Sequence, residues 1–277
     1  MRCAVLGSPI RHSLSPVLHR SAYAEIGLDW TYDALEVGVA DLASFLDGLD
    51  DSWRGLSLTM PLKRAVIDLL DEREPLVEAI GVANTVVLEG GRRLGYNTDI
   101  PGSVSAIRER TSAPLDTAII LGGGATAASL GWALADLGCA ELRLFVRNPA
   151  TVAETVEVIE QHPHRPRVEV ATLAEVDQRR PADVVASTVP VEAQSGELLR
   201  LLEPSGAPLV FDAIYDPWPT PLATWAADSG RAVVSGLDLL CHQAALQVAL
   251  MTQRTPSVAV MREAGVRALA ARHRDAE

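Results

Sequence analysis

Residues 117–138, TAIILGGGATAASLGWALADLG, run an apolar strand into a glycine turn and the turn straight into an alanine-rich helix. That succession constrains the fold more than any other stretch, because a strand followed at once by a helix does not pair with its successor as a hairpin. The chain crosses over and adds a parallel strand. Apolar runs near 141–146, 167–171, 183–187, 208–213 and 231–235, with helical segments between them, supply the further strands of such a sheet. The first third repeats the alternation, with strands near 2–7, 30–37 and 54–59 and helices near 16–26, 41–49 and 62–70. The fold class is therefore α/β with a largely parallel sheet. Two apolar-periodic helices, about 237–252 and 258–272, close the chain, and 102–235 reads as one nucleotide-binding-like domain inserted between two parts of another.

Within the turn, Gly122, Gly124 and Ala127 fit G-x-G-x-x-G/A. The first glycine permits the tight turn, the second lets a pyrophosphate approach the backbone, and a small third residue lets helix and strand pack closely. A dinucleotide site is the functional reading; a purely structural glycine turn is the other. Cofactor choice is written at the end of the following strand, where an acid holds the ribose hydroxyls of NAD and an arginine meets the 2′-phosphate of NADP. In ELRLFVRNPAT (141–151) that end carries Arg147 and Asn148, while the nearby acid, Glu141, stands at the strand's start. The pattern favours NADP, against a reading of Arg147 as a solvated surface residue.

Residues 84–96, NTVVLEGGRRLGY, form two extended runs around Gly90 and Gly91, both of which tolerate the positive φ of a two-residue hairpin turn. Counting back from the turn pairs Glu89 with Arg92, Val87 with Leu94 and Asn84 with Asn97. The polar NT at 84–85 is thereby set beside NTD at 97–99, at one end of a sheet, where open α/β folds bind ligands. Nearer the start, HSLSP (12–16) follows the apolar run RCAVLG (2–7) and precedes Val17, Leu18, Ala22, Tyr23 and Ile26 at helical spacing. With Pro16 at the first helical position, Ser15 is the predicted N-cap. Hydroxyls beside a helix N-terminus also suit an anion, because free N–H groups and the helix dipole both favour negative charge.

An anionic ligand needs such local donors here, since the 277-residue chain carries a formal net charge of −12. That balance argues against non-specific binding to nucleic acid or to an anionic membrane. With 48% hydrophobic and 22% charged residues, the chain reads as globular and long enough for two domains. Cys3, Cys139 and Cys241 are odd in number, far apart and set in apolar segments; they suggest neither a disulfide framework nor a metal site, and fit a reducing cytoplasm. His12, His19, His162, His164 and His242 show no metal-ligand spacing, so no metal is expected. No apolar run of 18 residues and no basic-then-apolar leader pattern occurs, so neither a membrane span nor export is expected.

Seven ordered stretches resemble one family, the shikimate dehydrogenases: LGSPIRHSLSPVLHRSAY (6–23), LSLTMPLK (56–63), GVANTVV (81–87), GYNTDIPG (95–102), the glycine turn, FDAIYDPWPTPL (211–222) and GLDLLCHQAALQ (236–247). IYDPWPTPLA resembles the actinobacterial branch in particular. The resemblance implies a two-domain α/β fold, in which 1–101 and 236–277 form the substrate-binding and catalytic domain and 102–235 an inserted Rossmann-like NADP-binding domain. It implies reversible, NADP-dependent reduction of 3-dehydroshikimate to shikimate, on the route to chorismate and the aromatic amino acids, by a cytoplasmic protein that is commonly a homodimer.

By the same resemblance Lys63 is the catalytic general acid/base, and Asp99 orients it and bonds a ring hydroxyl. Ser13 and Ser15 hold the substrate carboxylate with help from Tyr215, and Thr59, Asn84 and Gln243 contact ring hydroxyls. Gly122, Gly123, Gly124, Ala125, Thr126, Arg147, Asn148, Thr188 and Gly236 fall at cofactor-binding positions. Hydride transfer to a ketone leaves an alkoxide-like oxygen that needs a proton donor within reach, and Lys63 matches that need. An ordinary ion pair for Lys63 and Asp99, a strand threonine at 59, a turn former at 84, a solvated helix residue at 243 and a loop aromatic at 215 are the plainer readings.

Some positions depart from the family's usual pattern. Ser57 stands where asparagine is usual before V-T-x-P-x-K, the glycine turn reads GGGAT where G-x-G-G-A or G-x-G-G-T is usual, ASTVP (186–190) varies N-x-T-P, and Asn148 replaces a threonine. Ala125 thereby adds a β-carbon near the expected pyrophosphate. These differences bear on cofactor affinity and on the strictness of NADP preference. A quinate/shikimate dehydrogenase using NAD is the neighbouring alternative, and an aminoshikimate-type paralogue another. A non-catalytic, ligand-binding regulator of the same fold is expected to lack Lys63 or Asp99, and both are present.

Overall fold

In RCAVLG every residue after Arg2 is buried, as a strand covered on both faces requires, and this segment, β1 (Arg2–Gly7), lies between two parallel partners. The computed structural model describes residues 1–176 and 180–275. The chain divides into two units, Met1–Thr98 with Leu240–Glu277, and Asp99–Leu239.

The first unit contains α1 (Ser15–Glu25), β2 (Thr31–Glu36), α2 (Leu42–Asp47), β3 (Trp53–Leu58), α3 (Leu62–Ala65), β4 (Glu72–Arg73), α4 (Pro75–Ile80), β5 (Thr85–Glu89) and β6 (Arg92–Tyr96). Its sheet has the order β2-β1-β3-β5-β6-β4. β2 and β3 run parallel to β1, whereas β5 is antiparallel to β3 and β6 to β5, so this sheet is mixed. The hairpin turns at Gly90 (φ 58°) and Gly91 (φ 74°) and keeps the counted register, with Glu89 opposite Arg92 and Val87 opposite Leu94. Just beyond the ladder the Asn84 N–H donates to the Tyr96 carbonyl at 3.1 Å. Leu6, Leu56, Leu58 and Val86 from the strands pack with Leu42, Leu46, Leu62 and Val77 from α2, α3 and α4, so those helices bury their apolar stripes on one face.

The helix expected over 62–70 is interrupted. α3 ends at Ala65 and a 3₁₀ turn covers Ile67–Leu69, after which the Asp71 N–H donates to the Arg93 carbonyl and the Glu74 N–H to that of Gly95, at 2.9 and 3.0 Å. The chain leaves helical geometry to cover the open edge of β6. Its two-residue strand, Glu72 and Arg73, carries no apolar alternation by which to read it.

The second unit contains α5 (Asp99–Arg108), β7 (Thr117–Leu121), α6 (Ala125–Asp136), β8 (Glu141–Val146), α7 (Ala153–Glu160), β9 (Arg167–Thr172), β10 (Val184–Ser187), α8 (Gly196–Leu202), β11 (Leu209–Asp212), α9 (Pro221–Asp228) and β12 (Ala232–Ser235). Its sheet is parallel throughout, in the order β12-β11-β10-β7-β8-β9. From β7 the chain adds β8 and β9 on one side, then returns to add β10 to β12 on the other. That reversal leaves a crevice at the C-terminal ends of β7 and β10, where doubly wound sheets take their ligands. Ala118 and Ile120 face one helical layer with Leu130, Leu134 and Ile159, and Ile119 and Leu121 face the other with Leu198 and Leu222. The strand period of two thus fills both cores. α10 (Gly236–Thr252) begins in this unit and ends in the first, where α11 (Val258–Asp275) packs against α1.

Candidate active site

Because β3 runs parallel to β1 and antiparallel to β5, the ends of β1, β3 and β6 and the start of β5 share one end of the first sheet. The segments leaving that end carry Ser13, Ser15, Thr59, Lys63 and Asn84. Thr59 follows β3, its N–H bonded to the Leu6 carbonyl at 2.9 Å and its carbonyl accepting from the Leu62 N–H at 2.8 Å. Those two bonds fix the start of α3, on which Lys63 is half-buried. The Lys63 carbonyl accepts the Ala83 N–H at 2.9 Å, tying the lysine's turn to the residue before Asn84. The Thr59 hydroxyl makes no hydrogen bond among the described residues and is open to a ligand.

At HSLSP the structure corrects the expected cap. α1 begins at Ser15 itself, with Leu14 in the N-cap position (φ −86°, ψ −9°) and no side-chain cap. Leu14 is fully buried, which draws helical backbone one residue further back than Pro16 suggested. Ser13 makes the contact foreseen for its neighbour: its Oγ accepts the Ser15 N–H at 3.2 Å. A hydroxyl has one proton and two lone pairs, so Ser13 keeps its proton for an acceptor such as a carboxylate. The Ser15 hydroxyl, on a buried residue, makes no hydrogen bond among the described residues.

Asn84 is the hub of a buried polar network. Its Oδ1 accepts from the Thr98 N–H and the Thr85 hydroxyl, both at 2.9 Å, and its Nδ2 donates to Thr98 Oγ1 at 2.9 Å and Gln243 Oε1 at 3.2 Å. Asn84 therefore meets a ring hydroxyl only by exchanging one of these partners. Gln243 is buried rather than solvated. Behind Asn84, Gln247 Nε2 donates to Thr85 Oγ1 at 3.0 Å and to the Asn84 carbonyl at 3.3 Å, while its Oε1 accepts from the Ser57 hydroxyl at 2.8 Å. Tyr32 donates to Ser57 Oγ at 2.6 Å and stacks on His19, with ring centroids 3.8 Å apart. His19 Nδ1 lies 2.9 Å from the Ser15 carbonyl. Burial pushes the His19 pKa down to about 4, against the raising effect of its hydrogen bond to Ser15 and of nearby Gln247, so the ring is neutral at physiological pH.

Thr85 and Thr98 lie in the NT and NTD stretches that the hairpin count brings together, whereas sequence reasoning missed His19, Tyr32 and Gln247. Only Gln247 left a signal, four residues after Gln243 and so on the same face of α10. Ser57, noted as a departure, proves to be the link between Tyr32 and Gln247. Asp99 is buried and opens α5, one peptide bond after Thr98.

In the second unit Gly122 follows β7 with φ 112°, a conformation that L side chains rarely adopt. An added β-carbon there would stand 2.3 Å from Thr188 Oγ1, whose hydroxyl donates to the Leu121 carbonyl at 3.1 Å. Thr188 thus braces the turn from the end of β10. Gly124 is the N-cap of α6, with no side-chain cap, and a β-carbon on it would meet nothing within 4 Å. Open space before an uncapped N-terminus of a 12-residue helix, at the strand-order reversal, fits a dinucleotide's pyrophosphate. Ala125 and Thr126 form the first turn of that helix, half-buried, and Gly123 lies half-buried in the turn. Arg147 is exposed at the end of β8. Asn148 already caps the next 3₁₀ turn through Oδ1, which accepts the Ala150 N–H at 3.1 Å. Gly236 has a packing reason of its own, since a β-carbon there would stand 2.2 Å from the Ala213 carbonyl oxygen.

Tyr215 lies in the loop after β11, half-buried. The fully buried Asp212 fixes that loop, accepting from Thr220 Oγ1 at 2.6 Å, Gln194 Nε2 at 2.9 Å and the Ile214 N–H at 3.2 Å. Burial raises the Asp212 pKa, and those hydrogen bonds oppose the rise. Among the described residues there is no group of three or more His, Cys, Asp or Glu side chains able to hold a metal ion, and no helix long and apolar enough to cross a membrane.

Known proteins resemble the chain over almost its whole length. The model of the shikimate dehydrogenase substrate binding domain matches residues 5–86, and that of the shikimate 5'-dehydrogenase C-terminal domain matches residues 236–264. A Moorella thermoacetica protein named shikimate dehydrogenase (NADP(+)) is 35% identical over 268 residues, 93% of this chain and 90% of the relative. The crystal structure of Mycobacterium tuberculosis shikimate dehydrogenase is 36% identical with a TM-score of 0.86, covering 96% of this chain and 99% of that one. Shikimate 5-dehydrogenase from Thermus thermophilus, crystallised with NADP(H) and shikimate, is 29% identical with a TM-score of 0.85, covering 97% of this chain and 100% of that one.

Proposed function

The chain belongs to the shikimate dehydrogenase family, and on that premise we propose how its residues divide the work. It is an NADP-dependent oxidoreductase that interconverts 3-dehydroshikimate and shikimate in the shikimate pathway. The first unit binds the substrate. Ser13 and Ser15 donate hydroxyl protons to its carboxylate, with Tyr215 assisting. Thr59, Asn84 and Gln243 meet the ring hydroxyls, Asn84 releasing a protein partner to do so. The second unit holds NADP, the pyrophosphate over Gly122, Gly123, Gly124, Ala125 and Thr126, the 2′-phosphate at Arg147 and the backbone of Asn148, and the nicotinamide end near Thr188 and Gly236.

Bound NADPH supplies the hydride for reduction of the ketone. Lys63 gives its ammonium proton to the ketone oxygen as negative charge develops there, and takes a proton from the hydroxyl in the oxidative direction. Asp99 orients the ammonium and accepts from a neighbouring hydroxyl. A homodimer is the assembly we propose, which light scattering would register as twice the 29.5 kDa chain. The three buried, free cysteines support a cytoplasmic location.

The observation that carries this reading is the convergence, at one sheet end, of hydroxyl donors, an amide hub and a lysine. Its test follows NAD(P)H absorbance with shikimate or quinate against NADP or NAD. Activity concentrated in the shikimate and NADP combination is expected. A preference for quinate or NAD would move the protein to the neighbouring activity, and silence in all four combinations would overturn the enzymatic reading.

A further inference from the structure

The segment carrying Ser13 has few bonds of its own. Between β1 and α1 the Ser13 N–H donates to the Ile10 carbonyl at 3.0 Å, and Arg11 and His12 are exposed. Such a segment takes its conformation from whatever holds it from outside. The holder comes from the far end of the chain. Arg272, on the last turn of α11, donates through Nη1 to the His12 carbonyl at 2.9 Å and through Nη2 to the Ser13 carbonyl at 3.4 Å.

The same C-terminal segment grips α1 at its other end. Arg254 Nη1 donates to the carbonyl of Ile26, the C-cap residue of α1, at 2.8 Å, and the Ser257 N–H donates to Glu25 Oε2 at 2.9 Å. α11 therefore runs back along α1, starting beside its end and finishing beside its start. The two arginines differ in what they hold. Arg254 satisfies a helix-terminal carbonyl, as basic groups commonly do. Arg272 spans two consecutive carbonyls, those on either side of the Ser13 α-carbon, and so limits rotation about the bonds that aim the Ser13 hydroxyl. A planar guanidinium presents two parallel donors to such a pair, whereas an ammonium is a single point charge.

We infer that Arg272 is a positioning residue for the substrate carboxylate: by bridging the His12 and Ser13 carbonyls it holds the Ser13 hydroxyl toward the anion, and it sets substrate affinity rather than the rate of proton and hydride transfer. The inference rests on the reading of Ser13 and Ser15 as the carboxylate ligands.

The test is steady-state kinetics of the full chain with shikimate and NADP for Arg272→Ala, Arg272→Lys, Arg272→Gln, Arg254→Ala and Ser13→Ala, with a thermal melt of each. Loss of a charged, bridging donor predicts a shikimate KM raised about tenfold in Arg272→Ala, with kcat within twofold and the NADP KM unchanged. Arg272→Lys recovers part of that loss, and Arg254→Ala, which removes a contact of the same segment, leaves the shikimate KM unchanged. If Arg272→Ala does not fold, Arg272→Gln, which keeps donors without the charge, carries the same KM prediction. A raised KM in Ser13→Ala with none in the Arg272 variants overturns this inference alone. No rise in Ser13→Ala overturns the carboxylate reading and the inference with it, and an equal rise in Arg254→Ala reduces Arg272 to general bracing.

Discussion

The two candidate binding regions solve opposite problems. At the end of the first sheet the chemistry lies in side chains that are already engaged with one another, Asn84 with Thr85, Thr98 and Gln243, and Gln247 with Ser57. At the glycine turn of the second unit the chemistry lies in backbone N–H groups that no side chain caps, bordered by open space at Gly124. The first arrangement is rigid because the amides of Asn84 and Gln247 and the hydroxyls of Ser57, Thr85 and Thr98 are aimed by their neighbours, as suits a small ring with several hydroxyls. The second needs only the correct turn, since a phosphate accepts from any well-placed N–H. The contrast predicts that substrate affinity is lost through side-chain changes far behind the site, and cofactor affinity through backbone changes at the turn.

Gly122→Ala should give the largest break in the second region. It forces an L residue into φ 112° and sets a β-carbon 2.3 Å from Thr188 Oγ1. Strain of about 3 kcal/mol weakens NADP on the order of a hundredfold by titration, with shikimate affinity unchanged. In the first region, pH is the sharpest probe of rigidity. His19 has a folded pKa of about 4, below its ordinary value of 6.5. Between those values the unfolded chain binds a proton that the folded chain refuses, so the stabilisation is complete above pH 6.5 and falls away as pH drops toward 4. The loss is roughly 3 kcal/mol over that window, and urea unfolding of His19→Phe should lack this part of the pH dependence.

Gln247→Leu removes bonds to Ser57, Thr85 and the Asn84 carbonyl. We expect destabilisation of about 2 kcal/mol and a shikimate KM raised roughly tenfold, with the NADP KM unmoved. A rise in both constants would erase the contrast. Arg147→Ala should give the smallest effect, because the residue is exposed. The ratio of kcat/KM with NADP to that with NAD should fall about fivefold, and an unchanged ratio would assign cofactor choice elsewhere.

What could be read from the sequence follows the same division. The glycine turn, the parallel strands around it and the hairpin register down to Thr85 depend on local spacing, and they are legible in TAIILGGGAT and in the Gly90-Gly91 pair. The layer behind Asn84 and the brace on the Ser13 segment join partners remote in sequence: Ser57 and Gln247 are 190 residues apart, and Arg272 and His12 are 260 apart. Pairs so distant leave no periodicity in one sequence, so Tyr32 and Arg272 emerge only in three dimensions, and Gln247 shows in the sequence only by sharing a helix face with Gln243. The Ser15 cap failed for a related reason. Burial of Leu14, a tertiary demand, overrode the local signal of Pro16.

The account stands on Lys63 as the proton donor of a site whose affinity is built by other residues. Turnover and calorimetric shikimate binding, measured on one preparation of Lys63→Ala, test it most directly. The account predicts kcat lowered roughly a thousandfold, with the shikimate Kd within about threefold of the unaltered protein. Turnover near the unaltered rate would contradict it.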